Sequence, residues 1–432
     1  MGCATCWTRS CAVASEGTPR LTRTIEPPPS VPAPSGRGVL AFLALLGGLA
    51  AAFIGTAMAL FWLTRALPGA SKDELPEVVA FFAVAALGLG LGLPLAFAAI
   101  NAWRERPARL PGGLPGWVWL PATLLAVGVG AAVIASGRAL TILLPPLHVL
   151  AIALPTVGVV SLASRRLAHT GISGRLVLGH FASGAYLVPL LVLVLELVVG
   201  LLAGGLALVL IVLFIPGGAE QVRRAMEALR PLMEGQPLNT DELLKYILWP
   251  PFAAVALVFV SGLFPLLEEA IKPISAFVLA SRLPTAGAAF LAGVAAGAGF
   301  GLSEGLLNGA WSLEEWSATV LLRAGGTAMH AFASGLVAWG WYRAWRARRP
   351  WPVLLAYGVA VSLHGLWNAL ALVGGVGWAF TTTNVAPQAS PFAGGLIGFL
   401  VFSPLVGMTL AATIGIVVIS RRLAHDSAAN RA

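Results

Sequence analysis

Glutamate, histidine, lysine and asparagine side chains stand at helical spacing inside long apolar runs of this chain, where a charge is costly. The first group is Glu268-Glu269-Ala270-Ile271-Lys272. Lys272 follows Glu268 by four residues and Glu269 by three, so it pairs with a carboxylate on one helix face. One carboxylate is then tied to a cation and the other is freer, as a general base requires. The second group is Phe300 and Glu304, one helical turn apart. The third is His330, with Arg323 seven residues before it and Ser334 four after, all on one face. The fourth is His364 and Asn368 at i and i+4. A charge at the bilayer centre costs roughly 2.5–3.5 kcal/mol on insertion scales, so this concentration asks for a shared site. Four helices that bring a paired carboxylate, imidazoles and an amide together form a site suited to general-base chemistry.

The elements that must position these groups are transmembrane helices. Hydrophobic residues make up 58% of the 432 and charged residues 10%, and a soluble domain carries about 25% charged residues. Mean hydropathy is +0.87. Apolar runs of 18 or more residues are membrane-span candidates, and lipid requires them to be helical. Ten spans are expected, near 39–63, 78–101, 116–136, 141–164, 183–214, 256–280, 285–309, 318–342, 351–374 and 394–420. The fold class is therefore an all-α polytopic bundle. With alternating spans, 19 Lys and Arg fall on one side, the side of both termini, and 7 on the other. That asymmetry predicts cytoplasmic N- and C-termini. The net charge of +9 is explained by these loops, and no nucleic-acid partner is expected.

The chain divides on this reading into a disordered Pro-rich cytoplasmic tail (1–38), N-terminal transmembrane helices of unassigned role (39–214) and an extracytoplasmic amphipathic loop (215–248). A catalytic membrane core (249–375) and a last helix with a cytoplasmic tail (376–432) follow. Cys3, Cys6 and Cys11 all lie in the first tail and define neither a disulfide framework nor a closed zinc site. No apolar h-region precedes residue 38, so no cleaved signal peptide is expected. His148 and Glu196 stand alone in their spans and read as structural; His169, His180 and His425 fall in loops or tails. Gly293, Gly297, Gly301, Gly305 and Gly309 recur every fourth residue, a helix-packing stripe.

Depth ties the four polar spans together. Ala280, Thr285, Tyr342 and Trp351 are taken as cytoplasmic helix ends, with about 1.5 Å rise per residue. Glu268 and His330 then lie about 18 Å in, His364 about 20 Å, Asn368 about 26 Å and Glu304 about 29 Å. Glu304 and Asn368 are thus expected some two turns beyond the other three. Two His and several Glu form a donor set that zinc can use. The chain has no HExxH and Lys272 engages one carboxylate, so a metal-free site with no cofactor is expected. A proton- or ion-coupled transporter is the alternative use of such a cluster, although the halves show no repeat and the polar groups occupy one half.

The ordered set Glu268-Glu269-x-x-Lys272, Phe300-x-x-x-Glu304, His330 and His364-x-x-x-Asn368, on four successive spans over about 250–375, resembles the PrsW family of intramembrane proteases. That family is related to the CAAX-processing glutamic enzymes, whose set is a double Glu, Phe-x-x-x-His and His-x-x-x-Asn. The resemblance implies an endopeptidase acting on a membrane-anchored protein, with an anti-sigma factor as the family's known substrate. Glu268 or Glu269 would activate water, and His330, His364 and Asn368 would position substrate and stabilise the oxyanion. Glu304 stands where the related enzymes have His.

Overall fold

A computed structural model describes residues 37–66, 74–106, 115–137, 142–235, 245–246, 248–311, 313, 315–382 and 391–429. The tail up to residue 36, with its three cysteines and its prolines, lies outside the described residues. No strand occurs among the described residues. The helices are α1 (Arg37–Ala66), α2 (Leu75–Trp103), α3 (Gly116–Ala135), α4 (Leu144–Leu167), α5 (Gly174–Ala182), α6 (Val188–Phe214) and α7 (Gly218–Met233). They continue as α8 (Pro250–Val258), α9 (Phe264–Ile271), α10 (Ile274–Val278), α11 (Ala286–Ala310), α12 (Trp316–Ala347), α13 (Trp351–Thr382) and α14 (Pro391–Ala429).

Nine helical runs among the described residues are long and apolar enough to cross a membrane. The expected tenth, α12, is a 32-residue helix packed between α11 and α13. Arg323, His330 and its small polar residues make it less apolar. The 215–248 segment contains a helix, α7, whose exposed face carries Arg223 paired with Glu220 and Glu227, and Arg230 with Glu234.

The bundle is built around α11, which is buried along nearly its whole length. Thr285 caps it by accepting the Ala288 N–H at 3.1 Å. The glycine stripe explains why so much can pack on one helix. A Cβ on Gly301 would come 2.8 Å from Thr327 Oγ1 of α12, and one on Gly309 would come 2.8 Å from His148 Cε1 of α4. The stripe is thus packing within the chain: its first half seats α12 and its second half seats α4. His148 is part of this joint. It donates from Nε2 to the Leu306 carbonyl at 3.0 Å and accepts the Trp316 indole N–H at 3.1 Å. His180 is not in a loop as expected. It lies buried in α5, with Nδ1 2.9 Å from Ser275 Oγ.

Two spans are interrupted by π-turns, Ser183–Leu187 between α5 and α6 and Phe259–Leu263 between α8 and α9. Each is followed within two residues by a proline, Pro189 and Pro265. Proline has no N–H and its ring clashes with the carbonyl four residues back, so the backbone widens there. Pro273 then ends α9 just after Lys272.

Candidate active site

Three devices aim the polar groups at one point. The π-turn at Phe259–Leu263 sets the rotation of α9, which turns Glu268, Glu269 and Lys272 inward; all three are buried. The glycine stripe lets α12 approach α11 closely enough for His330 to reach Glu304. Asn368 on α13 donates from Nδ2 to the Val260 carbonyl at 2.9 Å. In the widened turn the Phe264 N–H bonds to Phe259, so the donor due to Val260 is the one Pro265 lacks. The Asn368 amide supplies it and so holds the turn.

Lys272 is the centre of the cluster. Its side chain is fully buried, and Nζ lies 2.8 Å from Glu269 Oε1, 2.9 Å from Glu268 Oε2, 2.8 Å from His330 Nδ1 and 3.4 Å from His364 Nδ1. The Phe300 ring closes one side, its centroid 4.4 Å from the ammonium. His330 Nε2 is 3.0 Å from Glu304 Oε2, and Arg323 Nη1 donates to Glu304 Oε1 at 2.6 Å. A carboxylate only accepts, so the His330 proton sits on Nε2 and Nδ1 accepts from Lys272. His364 Nδ1 lies 2.9 Å from Glu269 Oε1, which leaves its Nε2 as an acceptor, 3.9 Å from Glu268 Oε2.

All the expected site residues except Asn368 therefore meet directly, and Asn368 reaches them through the backbone turn it braces. The two carboxylates differ. Glu269 is 0% exposed and bound to Lys272 and His364. Glu268 is 8% exposed, and its Oε2 makes no directed hydrogen bond although it lies in the ion pair with Lys272. The expectation that Glu304 lies two turns beyond His330 is corrected. Helix α12 runs past Tyr342 to Ala347, so His330 is 17 residues from its end and Glu304 is 18 residues from Ala286. These are about 26 and 27 Å, the same level. Ser334, expected on the face of His330, packs toward Gly297 and its hydroxyl has no partner.

Sequence reasoning set Glu196 aside as solitary. In the structure its side chain lies beside Glu268 and within electrostatic reach of Lys272 and Glu304. The available signal was an acidic side chain in a 41-residue apolar run, Gly174–Phe214, since intramembrane carboxylates mark sites.

Glu268, His330 and His364 each bring a ligand atom within 4.8 Å of the others, and by type this is a zinc donor set. Their common centre, however, is held by the Lys272 ammonium, and His330 Nδ1 is its acceptor. In this arrangement the ammonium takes up the donors that a metal ion would use.

Residues 173–409 match the family model described as PrsW family intramembrane metalloprotease. The match extends the region read from the motifs to α5 and α6 on one side and to much of α14 on the other. No curated protein and no solved structure matches the chain. With more than half of its length covered by the family, and with the family's residues gathered in one buried cluster between membrane-spanning helices, this chain belongs to the PrsW family of intramembrane proteases.

Proposed function

We propose that the protein cleaves a membrane-anchored protein by a glutamate-activated water, with Glu268 as the base and no metal. The observation that carries this reading is the asymmetry of the two carboxylates. Glu269 is fully enclosed, with Oε1 held by Lys272 and His364, whereas Glu268 keeps some exposure and its Oε2 faces His364 Nε2 across 3.9 Å. That gap is too long for a hydrogen bond between them and lets both contact one water oxygen. Glu268 takes a proton from this water as its oxygen attacks the scissile carbonyl carbon. His364, fixed by Glu269, orients the water. His330, fixed by Glu304 and Arg323, accepts from Lys272 and holds the ammonium between the carboxylates. Lys272 supplies the positive charge that a metal ion supplies elsewhere. Asn368 and Phe300 shape the walls of the site.

The family resemblance supports a single-span anti-sigma factor as substrate and a bacterial cell membrane as the setting. The Lys and Arg asymmetry supports cytoplasmic termini. We further propose residues 249–375 as the catalytic core, with α5 and α6 joined to it.

The test is cleavage of a panel of single-span membrane proteins, anti-sigma factors included, by wild type, Glu268→Gln and Glu269→Gln in liposomes, with and without a strong zinc chelator. Fragments are mapped by mass spectrometry. Cleavage by wild type that resists the chelator and falls by 10²-fold or more in Glu268→Gln is expected. Activity retained by Glu268→Gln sinks the assignment of the base, and activity lost to the chelator sinks the metal-free reading.

A further inference from the structure

The motif residues leave one role open. In hydrolysis the carbonyl oxygen of the scissile bond gains a proton as water adds, yet the donors of His330, Asn368 and Lys272 are already engaged within the protein. A second carboxyl group stands at the free side of Glu268. Val188 and Val192 of α6 pack with Phe300 of α11 and with Ile271 of α9. One turn further along α6 is Glu196. The same step outward leads from Phe300 to Glu304 on α11, and back along α9 from Ile271 to Glu268. The register of three helices therefore sets Glu196, Glu268 and Glu304 at one level, with the Glu196 and Glu268 carboxyl groups side by side. Four carboxyl groups, Glu196, Glu268, Glu269 and Glu304, gather around two cations, Lys272 and Arg323, an excess that a proton on one carboxyl relieves. Glu304 is paired with Arg323, and Glu268 and Glu269 with Lys272, which leaves Glu196, among the described residues, as the one of the four without an ion pair and the one placed to keep the proton.

We infer that Glu196 is the catalytic acid of this site, a carboxylic acid that protonates the scissile carbonyl oxygen while Glu268 takes the water's proton. This inference rests on Glu268 being the base. The water oxygen bonds to the carbonyl carbon, one water proton passes to Glu268, and the Glu196 proton passes to the carbonyl oxygen, giving a neutral gem-diol. On collapse the C–N bond breaks and the amine leaves with the proton held by Glu268. A hydroxyl proton of the diol returns to Glu196, and the new carboxyl group is released with both residues restored. The division of labour is that of a carboxylate pair sharing one proton, as in aspartic proteases, here built from α6 and α9. Glu196 is half-buried, at the side of the cluster toward lipid-facing α6, where a membrane-anchored chain arrives.

The two roles predict a bell-shaped pH profile, since turnover needs Glu268 as a carboxylate on the acid limb and Glu196 as a carboxylic acid on the alkaline limb. The charged groups facing Glu196 are Glu268 and Lys272 from α9 and Glu304 from α11. The experiment compares full-length wild type, Glu196→Gln, Glu196→Leu and Glu268→Gln on the single-span panel, with kcat, KM and pH profiles, and records the infrared carboxylic-acid carbonyl band of each. Both Glu196 variants are expected to lose 10²- to 10⁴-fold in kcat with KM little changed, to lose the alkaline limb while keeping the acid limb, and to lose the infrared band present in wild type. Either variant at wild-type kcat, or a lowered kcat with an unchanged pH profile, overturns the acid role. An infrared band that persists in Glu196→Gln overturns it without any substrate. If Glu268→Gln is inactive and the Glu196 variants are active, this inference alone fails; if Glu268→Gln is active, the underlying base assignment fails.

Discussion

Lys272→Met keeps an unbranched side chain, one atom shorter, and removes the charge and its N–H donors, which makes it the sharpest test of the cluster. The wild-type ammonium lies within 3.4 Å of two carboxylate oxygens and two imidazole nitrogens, and its side chain is fully buried. Removing one partner from a buried ion pair costs about 3–5 kcal/mol. Here Glu268 and Glu269 lose the same cation, and one of them can take up a proton in relief. The lower end, about 3 kcal/mol, is therefore expected. Unfolding in mixed micelles reads this loss. The variant also leaves Glu268, Glu269, His330 and His364 around a centre with no resident charge, a donor set suited to zinc. Zinc at a hundred times its Kd should return about 2.7 kcal/mol to the variant and nothing to wild type. A wild type that takes up zinc stoichiometrically and is stabilised by it would refute the reading of Lys272 as the internal cation. So would a variant that loses less than about 1 kcal/mol, below even the cost of a buried unsatisfied group.

Two further tests address the frame. Gly297→Ala puts a Cβ 2.7 Å from Ser334 Oγ, which should cost about 1–3 kcal/mol by overpacking and lower activity by parting His330 from Glu304. Gly358→Ala, with open space around it, should be neutral or stabilising; equal stability of the two variants would remove the close-packing argument. On α7, Arg223 and then Arg224 hold the Glu220 carboxyl down at about 2, below its usual 4.5. A depressed carboxyl contributes stability above its unfolded value and loses it as pH falls toward the folded one. Amide-exchange protection of α7 should therefore decline between pH 4.5 and 2 in wild type, and the decline should shrink in Arg223→Gln. The same decline in both would show that Glu220 is not its source.

The sequence carried the site further than it carried the frame. Glu268, Lys272, Phe300, Glu304, His330 and His364 were legible because helical spacing and the cost of charge in lipid both act on single spans. Glu196 was not legible as a partner of Glu268, because that contact depends on how α6 docks on α9. The depth of Glu304 was misjudged for a related reason. Hydropathy dims where α12 leaves the apolar zone, so the helix looked five residues shorter at Tyr342 than it is. Asn368 carried a site-like spacing, yet its amide braces the backbone beside Pro265, a role visible only once the π-turn is known.

That π-turn makes chain length itself an address. A turn with one surplus residue rotates everything beyond it by about 100° relative to an uninterrupted α-helix. Phe259–Leu263 lies one turn before Glu268. A deletion of a single residue there would leave two sound helices, an intact hydropathy profile and every motif residue present. It would nevertheless swing the carboxylate pair out of the cluster toward a neighbouring helix or the lipid. Insertions and deletions are ordinarily tolerated best in loops. In this protein the middle of a membrane span counts residues as strictly as a reading frame.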